Sequence, residues 1–215
     1  MPSRATGLAG ILERLSLQEK WGLAVTLLTA SLVFAYNFDS PLSTFAALPG
    51  AFVAVFIAVA AHEAFQRWTA KRLGCSAAFE MWLPGVIFSL LMMLLGIKIL
   101  AVGGAVVLAH KFSRFGMRER HASIEEVGII SMAGPAANLL LATFLQPFAG
   151  PAGLAAAIGY LANINAMFAL YSLIPLKQID GGNFMMWSVV FWLLAVMWAL
   201  LLLTPYGLLP SIVTF

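Results

Sequence analysis

The stretch that decides the fold is Phe52-Val53-Ala54-Val55-Phe56-Ile57-Ala58-Val59-Ala60-Ala61-His62-Glu63-Ala64-Phe65-Gln66, an apolar run that ends in an imidazole and a carboxylate side by side. Taken from Phe45 to Gln66, it has the ~20 residues that a helix needs to cross a bilayer. Ionisable groups at membrane depth are costly, so His62 and Glu63 are functional candidates from position alone. The composition agrees with a membrane setting. Of 215 residues, 62% are hydrophobic and 10% charged, a balance that no water-exposed surface could carry. The expected fold class is an α-helical polytopic membrane protein with about five to six transmembrane helices. No Gly/Ser-rich or charged linker divides the chain, so residues 1–215 are expected to form a single integral membrane domain.

Further spans are expected at Gly22 to Phe38, Val127 to Phe148, Leu154 to Ile174 and Phe184 to Leu203. Trp82 to Ala109 is interrupted by Pro84, Gly85, Gly96, Lys98, Gly103 and Gly104, which predicts a re-entrant or β-hairpin segment after the second span. Residues 1–21 mix charges with Leu8, Ile11, Leu12 and Leu15, the pattern of an interfacial amphipathic arm. Eleven of the twelve Lys and Arg residues fall in that arm, between Arg67 and Arg72, between Lys111 and Arg120, or at Lys177. The positive-inside rule makes those segments cytoplasmic. Cys75 is the only cysteine, so neither an intrachain disulfide nor a cysteine zinc cluster is available. A net charge of +3 is too small to argue for nucleic acid.

With this topology the second span reaches its cytoplasmic end near Gln66, and the fourth reaches the same side near Ile174, just before Asp180. His62, Glu63, Gln66 and Asp180 are therefore expected at similar depth, where they could converge on one ion. Ala61 to Gln66 also falls one residue short of H-E-x-x-H, in which imidazoles at i and i+4 hold zinc and the intervening Glu is general base. Here the i+4 position is Gln66, whose amide oxygen is a weaker zinc donor than imidazole. Plainer roles fit the same residues. Glu63 and Arg67 are spaced for a helical ion pair, His62 and Gln66 could hydrogen-bond a neighbouring helix, and Asp180-Gly181-Gly182 could be a turn that starts a helix. His110 and His121 read as solvated side chains of a basic segment.

Taken in order, the motifs resemble the site-2 protease family of intramembrane zinc metalloproteases. His62-Glu63 followed by Arg67-Trp68 and Lys71-Arg72-Leu73-Gly74 looks like the family's first motif and its basic continuation. Ala133-Gly134-Pro135-Ala136-Ala137-Asn138 matches its A-G-P-x-x-N segment. Asn165 and then Leu173-Ile174-Pro175-Leu176-Lys177-Gln178-Ile179-Asp180-Gly181 match the segment whose Asp is a metal ligand. The resemblance runs from about Gly50 to Trp187, within a core of residues 45–187. Two positions depart from the pattern: Gln66 replaces the second histidine and Ser172 an asparagine.

The resemblance implies zinc as cofactor, held by His62, Asp180 and the Gln66 position, with Glu63 as base and Asn138 as polar support near the scissile carbonyl. It also implies an edge strand over Ala78 to Trp82 that receives unwound substrate through Phe79, Glu80 and Met81, with Asn165 as a further substrate-binding residue. Partners would be a transmembrane protein substrate or a membrane-complex subunit, within the lipid bilayer. Two functions stay open: an intramembrane metalloprotease impaired by Gln66, cleaving near the cytoplasmic face, and a pseudoprotease that binds transmembrane helices. An ion-coupled transporter using Glu63 and Asp180 lacks the expected repeat symmetry.

Overall fold

A computed structural model describes residues 17–113 and 116–204, with the backbone alone described over 108–113 and 116–120. Seven helices and three strands follow one another along this part of the chain: α1 (Leu17–Ala35), α2 (Ser43–Arg72), β1 (Cys75–Met81), α3 (Leu83–Leu94), β2 (Gly103–Ser113), β3 (Gly116–Arg120), α4 (Ile124–Leu145), α5 (Gly153–Ser172), α6 (Asp180–Trp187) and α7 (Val189–Leu203). A short 3₁₀ turn, Gln146–Phe148, ends α4.

Three helical stretches, Ser43–Arg72, Ile124–Phe148 and Gly153–Ser172, are long and apolar enough to cross a membrane. The 30 residues of α2 extend about 45 Å at 1.5 Å per residue, longer than a hydrocarbon core of about 30 Å. That excess carries Arg67, Lys71 and Arg72 beyond the apolar part. α1 is less apolar than expected because Glu19 and Lys20 belong to its first turn rather than to a surface arm. The rest of the expected arm, residues 1–16, lies outside the described residues.

Two expectations change in detail. The apolar run from Phe184 to Leu203 is broken at Ser188, which takes an extended backbone (φ −154°, ψ 106°) and caps α7 by accepting from Phe191 N at 3.4 Å. The piece from Trp82 to Ala109 becomes a 12-residue apolar helix, α3, then an irregular turn and strand β2. β2 pairs antiparallel with β1 in the register Cys75↔Ala109 to Met81↔Gly103. β3 pairs on the other side of β2, so β1 is an edge of the sheet β1-β2-β3.

α4 lies at the centre, packed against α2, α5 and α6. Its start is fixed by a capping box in which Ser123 Oγ accepts from Glu126 N at 3.1 Å and Ser123 N donates to Glu126 Oε2 at 2.9 Å. The main core is built by Ala30, Val33 and Phe34 of α1, Ala54, Val55 and Ala58 of α2, and Met167, Phe168 and Tyr171 of α5. On the outside, Phe52, Phe56, Ile87, Leu91, Phe191 and Leu194 are exposed, an apolar surface that belongs in lipid rather than water. Lys98, in the turn before β2, donates to Phe34 O at 3.4 Å near the carboxyl end of α1. Burial there holds its ammonium pKa below the ordinary lysine value.

Candidate functional site

Neighbouring residues of α2 enter two different networks. His62 faces the centre of the molecule and is buried, with Asp180 and Asn138 buried beside it. Its Nε2 lies 3.0 Å from Asp180 Oδ2, although the two residues are 118 positions apart. Asp180 opens α6, but its carboxylate does not cap its own helix. The other oxygen, Oδ1, accepts from Ala105 N of β2 at 3.0 Å, so the sheet and the helix start are tied through one side chain. Asn138 of α4 presents Nδ2 at 3.3 Å from His62 Nδ1, while its Oδ1 has no partner. With Nε2–H donating to Asp180 Oδ2, Nδ1 is left to accept from the Asn138 amide.

The imidazole fits against α4 because residue 134 has no side chain. A Cβ added at Gly134 would lie 2.2 Å from His62 Nε2, so the Ala133-Gly134-Pro135 segment is the seat of the ring. The edge of the ring also meets Phe168, with centroids 5.5 Å apart.

Glu63 points the other way. Its Oε2 accepts from the Arg67 guanidinium at 2.9 Å, the i, i+4 pair expected from spacing. The same guanidinium nitrogen donates to Glu19 Oε1 of α1 at 2.8 Å, and that oxygen also accepts from Phe79 N of β1 at 2.8 Å. Two carboxylates thus share one guanidinium at the junction of α1, α2 and β1. A cavity of about 30 Å³ separates the two networks, lined among others by His62, Glu63, Asp180, Phe79, Thr26 and Tyr171. It has room for one or two waters.

Of the residues named from the sequence, His62, Asp180 and Asn138 are brought into contact, and Glu63 and Phe79 line the same cavity. Gln66 is buried one turn beyond His62, its Nε2 has no hydrogen-bond partner, and it is not part of the cavity wall. Glu80 and Met81 line a separate pocket of about 270 Å³ with Lys177, Gln178 and Asn183. Asn165 does not reach either pocket. It is fully buried in α5 and donates to Leu161 O of its own helix at 2.8 Å. The edge strand is present, starting three residues earlier than expected, at Cys75, and ending at Met81 instead of Trp82. His121 is exposed, and the side chain of His110 lies outside the described residues.

Glu19 was not visible as a site residue because its partners are 48 and 60 positions away. The available signal was an acid in the first turn of an apolar helix.

The chain resembles a metalloprotease in sequence. Over 184 residues it is 26% identical to a protein of Methanocaldococcus jannaschii named "Putative zinc metalloprotease", covering 83% of this chain and 89% of that one. No family model and no solved structure matches.

A catalytic zinc takes three protein donors and leaves a fourth position for water. His62 Nε2 and Asp180 Oδ2 are placed to be two of them. Among the described residues no three His, Cys, Asp or Glu side chains converge, and the third position offers only the Gln66 amide, whose buried nitrogen is unpartnered. This donor set does not fit a catalytic zinc.

Proposed function

We propose that the chain is a multi-pass membrane protein of site-2-protease-like architecture over residues 45–187, which binds transmembrane helices near the cytoplasmic face and whose hydrolytic chemistry is impaired by Gln66. The observation that carries this reading is the buried contact between His62 and Asp180, two residues from distant segments, on a helix pair where the third zinc donor is an amide. The likeness to a zinc metalloprotease supports the ancestry of the site, and its two-donor state supports the impairment. Residues 1–215 act as one unit in this reading, with the N-terminus and the site on the cytoplasmic side.

In this reading His62 and Asp180 hold each other and tie α2 to α6 and β2. Glu63 is occupied by Arg67. A water in the cavity would need a base far stronger than a carboxylate to yield hydroxide, since its pKa in bulk is ~15.7. The outer edge of β1, once α1 moves off it, would offer backbone groups to a segment of unwound helix, which offsets part of the cost of unwinding.

Metal analysis and peptide binding test the reading together. Protein purified in zinc-replete detergent buffer is expected to carry well under one zinc per chain, to bind an apolar transmembrane peptide, and to leave it uncut. One zinc per chain with cleavage that disappears in Glu63→Gln would make it a working protease instead.

A further inference from the structure

The outer edge of β1 is not bare. Hydrogen bonding alternates along an antiparallel edge, so the N–H groups that do not face β2 point outward. Phe79 N–H is one of them, and it donates to Glu19 Oε1 at 2.8 Å while Arg67 donates to the same oxygen at 2.8 Å. Glu19 is 8% exposed and Arg67 25% by side chain, so the contact is shielded and charge-assisted. Gly22, one turn later on α1, brings the helix against the same strand: a Cβ there would lie 3.2 Å from Met81 Cβ and 3.5 Å from the Phe79 ring.

We infer that Arg67 and the Phe79 amide form a carboxylate-binding subsite on the outer edge of β1, filled in this structure by Glu19 of the chain itself. The ligand it takes from outside is the carboxylate of an Asp or Glu side chain in a bound peptide. Two converging donors, one of them a guanidinium, define the site chemically: it prefers an anionic oxygen over a neutral amide. Arg67 is held in place by its second partner, Glu63, at 2.9 Å, so the donor stays aimed when Glu19 leaves. The start of α1 is thereby an internal competitor for the strand edge. This inference rests on the helix-binding reading for its external ligand, but not for the subsite.

Amide hydrogen exchange of the Cys75–Met81 segment, measured by mass spectrometry on the full chain in detergent, tests it. Losing a hydrogen bond to a charged group should speed Phe79 exchange about 10- to 100-fold in Glu19→Ala. Sodium acetate should restore protection where sodium chloride of equal ionic strength does not, and the restoration should vanish in Glu19→Ala/Arg67→Gln. Glu19→Gln, which keeps an acceptor but loses the charge, should fall between and serves if the alanine variant does not fold. Exchange unchanged in both Glu19 variants, or acetate protection that survives without Arg67, overturns the subsite. An apolar peptide with one Glu near its end should bind Glu19→Ala about tenfold tighter than its Gln counterpart, the order expected of one charge-assisted bond, and wild type should discriminate less. Acetate rescue without binding of either peptide would uphold the subsite and sink the helix-binding reading. Binding of both peptides with equal affinity to Glu19→Ala would overturn the assignment of an acidic ligand.

Discussion

α4 and α7 are both apolar helices, yet they occupy opposite environments. α4 buries ten residues, most of them small or polar, such as Gly128, Ser131, Ala133, Gly134, Ala137 and Asn138, beside the larger Ile130 and Leu139, whereas α7 buries only Ala199 and Leu203 and exposes Val190, Phe191, Leu194 and Leu201. In water the apolar face of a helix turns inward. In lipid that driving force is absent, so close packing and hydrogen bonds select the centre. The lesson is that hydropathy locates the membrane helices of this chain but not its core. Glycine, alanine and buried amides mark where its central helix is packed.

Substitutions on the two helices should therefore differ in rank. The largest effect belongs to Gly134→Val, because any side chain there enters the His62 ring. A loss of about 3 kcal/mol is expected from overpacking, read as a lower unfolding midpoint in detergent. A midpoint within error of wild type would show that α4 and α2 are less tightly apposed than described. Asp180→Ala comes next. It strips a buried acceptor from both His62 and Ala105 N, and the cost should be about 1–3 kcal/mol. Asp180→Asn, which keeps one acceptor, should cost less, and equal losses in the two variants would argue against the double contact.

Smaller effects are expected on α7. Its inward anchor is Trp192, whose Nε1 donates to Leu173 O at 2.8 Å, so Trp192→Phe should cost about 1 kcal/mol by thermal unfolding. Leu194→Ala and Leu201→Ala, at positions 56% and 64% exposed, should stay within about 0.5 kcal/mol of wild type. A large loss at either would mean that α7 packs against a partner and not against lipid.

Much of this arrangement was legible in the sequence, for identifiable reasons. The apolar run before His62 and the position of Asp180 after the fourth apolar segment placed the two residues at one depth, and their contact at 3.0 Å agrees. The Glu63–Arg67 pair followed from i, i+4 spacing. What was not legible depends on side chains meeting across distance. Glu19 reads as part of an amphipathic arm until α1 lies against β1, and the hydrogen bond of the Asn165 amide to Leu161 O has no mark in the sequence pattern. The break at Ser188 is similarly local in geometry and silent in hydropathy, since Ser188 is one polar residue in a long apolar run.

The central claim is that the site has two metal donors where a catalytic zinc needs three, and that position 66 is the deficit. Zinc titration of the purified wild type and of Gln66→His, with bound metal counted per chain, tests it most directly. Restoring the i, i+4 imidazole pair should raise zinc binding from well below one to about one ion per chain with three protein donors, and Asp180→Asn in that background should weaken it again. Stoichiometric zinc in the wild type, or no gain in Gln66→His, would contradict the account.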